Sequence, residues 1–284
     1  MMHKVGTIKE IWRYPVKGMG GERIASCALN ELGLKGDRRW AMRDMTRDEI
    51  QSCKFRPQLL RCTARSQSGP MGAVAIEFPD GAIFEAGDAQ ADAHLSALVG
   101  HRSCLDPLTG EADTERFRRF HGAEVSWLDE LKATFDRERN EPLPDFDSLP
   151  PSVAEYVVMP GTFFLVAPVH MITTATLARL SHLQPDADWD ARRFRANLII
   201  DACPSEADYV EQGWIGKKLK AGRAHIRCTA ATPRCGAITR AQRDFGADRD
   251  VLRTVVNQAD QNAGIYGQMH TAGIINEGDE VWLL

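Results

Sequence analysis

The stretch VGTIKEIWRYPVK, residues 5–17, alternates apolar and polar side chains and then stops at Pro15. A period of two belongs to a half-buried strand, and proline ends one because it has no N–H for the ladder. RIASCALNE (23–31) repeats the alternation and runs into the turn-like LGLKGD (32–37). RRWAMRD (38–44) and AVAIEFPDGAIFEA (73–86) follow, the latter with Pro79-Asp80-Gly81 at a hairpin turn. ADAHLSALVG (91–100) is the first stretch with helical spacing, with Gly100 placed to cap its C-terminus.

From about Asp106 to Pro160 the chain becomes polar and proline-bearing. EPLPDFDSLPPS (141–152) carries the clearest linker signal, and the segment is expected to cross the surface or cover a cleft. The second half restarts with FFLVAPVHMITTATLARLSHL (163–183): a strand, a break at Pro168, then a helix capped by Thr173 or Thr174. RFRANLIID, WIGKKLKAG, AHIRCTAAT and DEVWLL read as further short strands, and DRDVLRTVVNQ as a helix. Short strands at regular spacing favour a β-barrel over a wound α/β sheet.

At 284 residues, 43% hydrophobic and 26% charged, the chain has the make-up of a globular protein of one large or two ordinary domains. A net charge of −4 gives no general reason to expect nucleic-acid binding. The N-terminus lacks a secretory h-region, and the longest apolar run, Phe163 to Val169, is too short to cross a bilayer. No nucleic-acid or membrane partner is expected, and the cytoplasm is the expected compartment. Seven cysteines, odd in number, widely spaced and without a CxxC, argue against a disulfide framework. The histidines form no HExxH, so a metal site built from protein ligands alone is not expected.

Five places could carry chemistry, and each has an ordinary reading beside the functional one. Tyr14 to Gly21, YPVKGMGG, is a glycine-bearing loop with Lys17: an anion cradle, or a turn with a solvated lysine. Gly36-Asp37-Arg38-Arg39-Trp40 offers arginines for bidentate recognition, or arginines exposed or paired with Asp37 or Asp44. In RRFRAN, strand alternation puts Arg193, Arg195 and Asn197 on one face, as an oxyanion grip or as the wet face of an edge strand. Thr173 and Thr174 could cap a helix or leave N–H groups for an anion, and His170 reads as a packed core histidine. Cys235 in TPRCGAIT (232–239) could be an inert buried thiol, a nucleophile, a disulfide half or a soft-metal ligand; Arg234 would favour its thiolate if the side chains meet.

Taken in order, these blocks resemble the MOSC family, molybdenum cofactor sulfurase C-terminal domain proteins, in the branch with a MOSC N-terminal β-barrel domain that includes amidoxime-reducing components and bacterial relatives. YPVKGMGGERI, LGLKGDRRWAMRD and FRPQLL are similar to the N-terminal signature. APVHMITTATLARL, RRFRANLIID, WIGKKLKAG, TPRCGAIT and GIYGQMHTAGIINEGDEVWLL are similar to the MOSC domain. The likeness spans nearly the whole chain and is weakest over 106–160.

The resemblance implies an α+β, predominantly β fold: a MOSC-type β-barrel plus an N-terminal β-barrel-like domain with a few peripheral helices. It implies an N-terminal domain over 1–105, a linker or surface region over 106–160 and a MOSC domain over 161–284. It implies a molybdenum cofactor (Mo-molybdopterin) with Cys235 as metal ligand and catalytic residue. Lys17, Gly18, Arg38, Arg195, Asn197, Pro233, Arg234 and Gln268 are its implied cofactor contacts, with Val166 and Ala167 through their backbone. The implied activity is a molybdenum-dependent oxidoreductase reducing small N-hydroxylated (or N-/S-oxide type) substrates. No cysteine follows Cys235, so electrons are expected from a separate donor of ferredoxin or flavin reductase type. The alternative is a sulfur-carrier or cofactor-handling protein with a persulfide on Cys235. Three positions depart from the family pattern: Gly18 stands where serine is frequent, Leu165 where aspartate is common, and Gly-Ala-Ile-Thr follows the cysteine, losing a threonine at Ile238. Cys203 matches a second cysteine of some relatives and has no assigned role.

Overall fold

A computed structural model describes residues 2–67, 73–109, 113–122, 126–147, 149–203 and 208–284. The first strand, His3–Arg13, pairs on one side with Leu198–Ala202 and on the other with Glu280–Leu283. From there the ladder runs through Lys218–Ala221, Ala224–Pro233, Asn262–Thr271 and Val169–Thr173, and back to Leu198–Ala202, closing a seven-strand barrel. Sequence reading groups the first strand with the N-terminal domain, but its hydrogen bonds lie in the C-terminal barrel. Closure explains this: a barrel missing one strand would expose two unpaired edges.

All but one of the barrel pairings are antiparallel. Val169–Thr173 runs parallel to Leu198–Ala202, and helix Thr174–Leu183 makes the crossover such a pair requires. The helix starts where Thr173 accepts a hydrogen bond from the Thr176 N–H at 3.2 Å, a cap worth about 1 kcal/mol. The strand begins after Pro168, whereas the apolar run 163–167 before it is irregular. That correction has a local cause: Pro168 cannot donate to a ladder, so pairing starts beyond it.

Inward residues fill the barrel: Val5, Ile8 and Ile11 meet Val169, Met171, Leu198, Ile200, Ile226 and Ile265, as a barrel of this size requires. The opposite faces of the same strands, through Ile172 and Ile199, pack beneath Leu180 of the crossover helix and Val251, Leu252 and Val255 of helix Asp250–Gln258. The two strand faces are therefore both buried, which hides the alternation that would mark them as strands.

A second core forms around residues 16–105. Strands Ser103–Pro107, Trp40–Asp44 and Glu49–Ile50 make one small sheet, and Thr63–Ser66, Val74–Glu77 and Ile83–Glu85 make another. Helix Ala89–Val99 packs on them through Ala91 and Leu95 and ends at Gly100, whose φ of 82° suits glycine. The hairpin at Pro79-Asp80-Gly81 forms as its residues dictate, with Gly81 at φ 87°. Among the described residues, no helix is long and apolar enough to cross a membrane. The fold is predominantly β with few helices.

Candidate functional site

Where the first strand leaves the barrel, Tyr14 to Gly18 cross into the N-terminal core, and Val16 bridges to Trp40. Facing them are the turn at Asp37-Arg38, the segment around Arg195 and the loop at Cys235. Together they wall a cavity of about 190 Å³. Lys17, Gly18, Arg38, Arg195 and Asn197 line it, as do Val166, Ala167, Pro233, Arg234 and Cys235. Gln268 lies outside the lining and is exposed, two positions along its strand from Tyr266, which does line the cavity. A strand advances about 3.3 Å per residue, so the two positions carry Gln268 past the cavity.

Seven cations contribute to the wall, and no carboxylate does among the described residues. Lys17 Nζ donates to the Phe163 carbonyl at 2.9 Å. Burial, and then the neighbouring Arg38 charge, lower its pKa to about 7. Arg195 donates to the Met19 carbonyl, and Arg234 to the Phe194 carbonyl at 2.8 Å. Neither is ion-paired among the described residues, and Arg234 Nε is buried without a partner. Unpaired buried cations are costly, and an anionic ligand would supply the missing charge.

Arg38 and Arg195 are both held in the left-handed region, at φ 47° and 54°. Such a conformation costs a non-glycine residue about 1–3 kcal/mol and persists only where surrounding contacts impose it. One contact is shared by the two, the Tyr14 ring. The Arg38 guanidinium lies 5.2 Å from the Tyr14 centroid and that of Arg195 4.4 Å, so Tyr14 sits against both. Sequence reading set Arg193, Arg195 and Asn197 on one strand face. Instead, Ala191–Phe194 form a 3₁₀ turn, Arg195 reverses the chain, and the strand begins at Leu198. Arg193 is then a structural residue, 1% exposed, bonded to Asp188 at 2.7 Å and stacked 4.3 Å from Phe245.

Asn197 spends its whole hydrogen-bonding capacity inside the protein. Its amide donates to the Trp12 carbonyl and to Asp37, and its oxygen accepts from the His170 N–H and from Arg38. Asp37, fully buried, also accepts from the Tyr14 N–H at 2.7 Å and pairs with Arg38. The arginine–aspartate pairing thus holds for Arg38, while it remains part of the cavity wall. Asn197 and Asp37 tie the barrel, the first strand and the GDR turn together, and so position Arg38.

Cys235 is half-buried at the cavity edge and opens the 3₁₀ turn Gly236–Thr239. Gly236 is where the 106–160 segment closes in: a Cβ there would lie 2.8 Å from Asp136 Cβ, and its N–H donates to Thr134 O at 3.0 Å. Ile238, at the position of the missing threonine, faces the outer core and leaves Ala237 in the lining. Gly18 is equally constrained, with φ 85° and a Cβ position 2.7 Å from the Cys53 nitrogen. Serine does not fit there.

His170 lines the cavity but is held neutral, its pKa lowered by burial and then by Arg234. The helix start at Thr173 is not open to an anion. The buried Glu211 already accepts from Thr173 and Thr176, each at 2.7 Å. Cys203 lies outside the cavity lining and donates weakly to the Lys4 carbonyl; the Pro204 to Glu206 part of its DACPSE block is outside the described residues. Tyr14, Cys53, Lys54, Arg119 and Tyr266 line or brace the site without having been singled out. Tyr14 sits inside the quoted YPVK block, and nothing local distinguishes the others.

Among the described residues no three His, Cys, Asp or Glu side chains gather to hold a metal. A metal held here needs most of its ligands from its own cofactor, and a single thiolate from the protein suits a soft, sulfur-rich centre. Lys17, Arg195 and Arg234, without a carboxylate partner among the described residues, and the unpartnered Arg234 Nε fit a cofactor bearing a phosphate.

The family model for the MOSC domain matches residues 150–282, and that for the MOSC N-terminal beta barrel domain matches residues 5–105. The YuaD protein from Bacillus subtilis is similar in structure at 9% identity over 100% of this chain and 98% of that one, with a TM-score of 0.45. YiiM from Escherichia coli is similar at 13% identity over 42% of this chain and 54% of its own, with a TM-score of 0.32. YiiM from Geobacillus stearothermophilus gives 12% identity, the same two coverages and a TM-score of 0.31. No curated protein matches the chain. With both family models matched in order across one barrel and one N-terminal β domain, the chain belongs to the MOSC domain family.

Proposed function

We propose that the protein is a molybdenum cofactor-dependent oxidoreductase that reduces small N-hydroxylated (or N-/S-oxide type) compounds. The observation that carries this reading is a half-buried thiol, Cys235, at the edge of a cavity whose charged side chains are all cationic. When bound, the cofactor supplies two-electron exchange at a metal cycling between the Mo(VI) and Mo(IV) states.

The chain's own residues have separable tasks. Cys235 offers the thiolate ligand. Lys17, Arg195 and Arg234 neutralise the phosphate, and Arg38, aimed by Asp37 and Asn197, faces the same space. Val166 and Ala167 line the same cavity as the cysteine loop. Leu131, Val157 and Leu165 supply apolar wall that excludes water, which strengthens every charge interaction inside. Reducing R–NHOH to R–NH2 consumes two electrons and two protons and releases water. We assign the electrons to a separate donor protein of ferredoxin or flavin reductase type, and the reaction to the cytoplasm. That compartment suits a chain whose seven cysteines are all free.

The test is elemental analysis with fluorescent pterin detection on protein made in a cofactor-competent host. Near one molybdenum and one pterin per chain is expected, with the metal lost in Cys235→Ser while circular dichroism is unchanged. No molybdenum together with labile sulfur on Cys235 would replace this reading by a sulfur-carrier role. Bound molybdenum without turnover of N-hydroxylated compounds, given a competent donor, would leave cofactor binding and remove the reductase.

A further inference from the structure

Beside the cavity lies a second chamber of about 340 Å³, and Lys54, Phe55 and Arg119 line both spaces. The charged residues of the two walls differ in how they are used. In the chamber, Arg47 pairs with Glu130, Arg56 with Asp44 and Arg240 with Asp136. Lys54 and Arg119 have no such partner among the described residues. The Lys54 ammonium only rests 5.0 Å from the Phe135 ring centroid. Arg119 is 8% exposed, bonds to the carbonyls of Val153 and Tyr156 and lies 5.0 Å from the Trp127 ring, with no carboxylate on it. Both cations share the cavity wall with Lys17, Arg195 and Arg234, and of the five only these two also line the chamber.

A second observation lies in the same chamber. Gln51, 2% exposed, gives its amide N–H to Glu49 at 2.7 Å, and its Oε1 is buried without a partner. A buried acceptor left unmet is costly and calls for a ligand N–H or O–H, which an ionised carboxylate or phosphate lacks, so Gln51 marks the chamber as ligand space while the anion contacts are Lys54 and Arg119 alone. Leu131, Val157 and Phe55 add apolar surface to the cavity wall near the junction.

We propose that Lys54 and Arg119 bind an anionic group, carboxylate or phosphate, on a substrate with an apolar body whose N-hydroxylated end reaches the Cys235 cavity. This rests on the reductase reading of the cavity. The preference is for anions because Lys54 has no carboxylate partner among the described residues, while Glu49 and Glu130 in the chamber wall act on Arg119 only from beyond ion-pair distance. A cationic substrate would meet the unpaired Lys54 charge. Lys54 is the better probe of the two, since its side chain makes no hydrogen bond among the described residues, whereas Arg119 also anchors the Val153–Tyr156 backbone.

The experiment is calorimetric binding to the cofactor-loaded protein, without turnover. Three probes are compared: benzamidoxime, 4-carboxybenzamidoxime and a phosphate-bearing benzamidoxime. Tighter binding of the charged probes by about fivefold or more is expected, eroded by salt. Lys54→Gln is expected to bring the charged-to-neutral ratio close to one, and Lys54→Arg to keep it. Comparing the two charged probes tells carboxylate from phosphate. Equal affinity for charged and neutral probes, or a ratio unchanged in Lys54→Gln, would overturn the proposal. Charge-selective binding with no reduction of any probe by a competent donor would instead overturn the reductase reading and leave the anion site standing.

Discussion

Lys17 should take up a proton when an anion enters the cavity. With no anion beside it, its pKa is lowered to about 7 from an ordinary 10.5, because burial and the Arg38 charge disfavour the ammonium. A bound oxyanion favours the charged form and raises that pKa again. Between pH 7 and the bound-state pKa, binding therefore consumes close to one proton. Affinity should fall about tenfold for each pH unit above 7 and level off below it. Sulfate is the suitable probe, since it does not itself titrate in this range. The assay is sulfate titration by calorimetry from pH 6 to 9, in two buffers of different ionisation enthalpy, to count the proton. Lys17→Met should bind sulfate weakly and without the pH step. Stability should follow the same group. The unfolded lysine keeps its proton up to 10.5 and the folded one only to about 7, so the anion-free protein gains stability as pH rises through that window. The whole gap is worth roughly 5 kcal/mol as a ceiling. A sulfate affinity flat across the range, or the same slope retained in Lys17→Met, would refute the reasoning.

Three other outcomes follow from particular contacts. Gly18→Ser should lose about 2–3 kcal/mol in denaturant unfolding, because φ is 85° and the new Cβ would meet the Cys53 nitrogen at 2.7 Å; an unchanged midpoint would mean the loop accommodates serine. Gly236→Val should push the Thr134–Asp136 loop off the cysteine turn, read as faster limited proteolysis near that loop with the barrel's circular dichroism retained. The Glu211 pKa is raised by burial, so the wild type loses stability as pH climbs from the ordinary carboxylate range through the raised value; Glu211→Gln should flatten that part of the stability profile, and a profile identical to wild type would place the acid's cost elsewhere.

Much of the cavity wall is legible in the sequence. Lys17, Arg38, Arg195, Arg234 and Cys235 all sit in short blocks where special backbone residues meet charge, and a bound anion or metal needs such blocks. What misled was regularity. Arg193, Arg195 and Asn197 looked like one strand face, but the chain turns at Arg195, and each residue goes a different way: Arg193 to Asp188, Arg195 to the Tyr14 ring, Asn197 to Asp37. Gln268 and Tyr266 share a strand and a parity, and only the cavity's position along that strand separates them.

The fold class, the position of Gly100, the Thr173–Thr174 helix start and the set of cationic blocks can be read from the chain alone, because each depends on residues within a few positions of one another. The tertiary structure decided three things. His3–Arg13 closes the C-terminal barrel, a partner choice made across more than 180 residues of chain. The 106–160 segment reaches Cys235 because Gly236 has no Cβ to hold Asp136 away. Lys17 loses most of its affinity for a proton only because burial and Arg38 surround it. Strand partners, close approaches and desolvation are all set by neighbours distant in sequence, and a one-dimensional pattern carries no record of them.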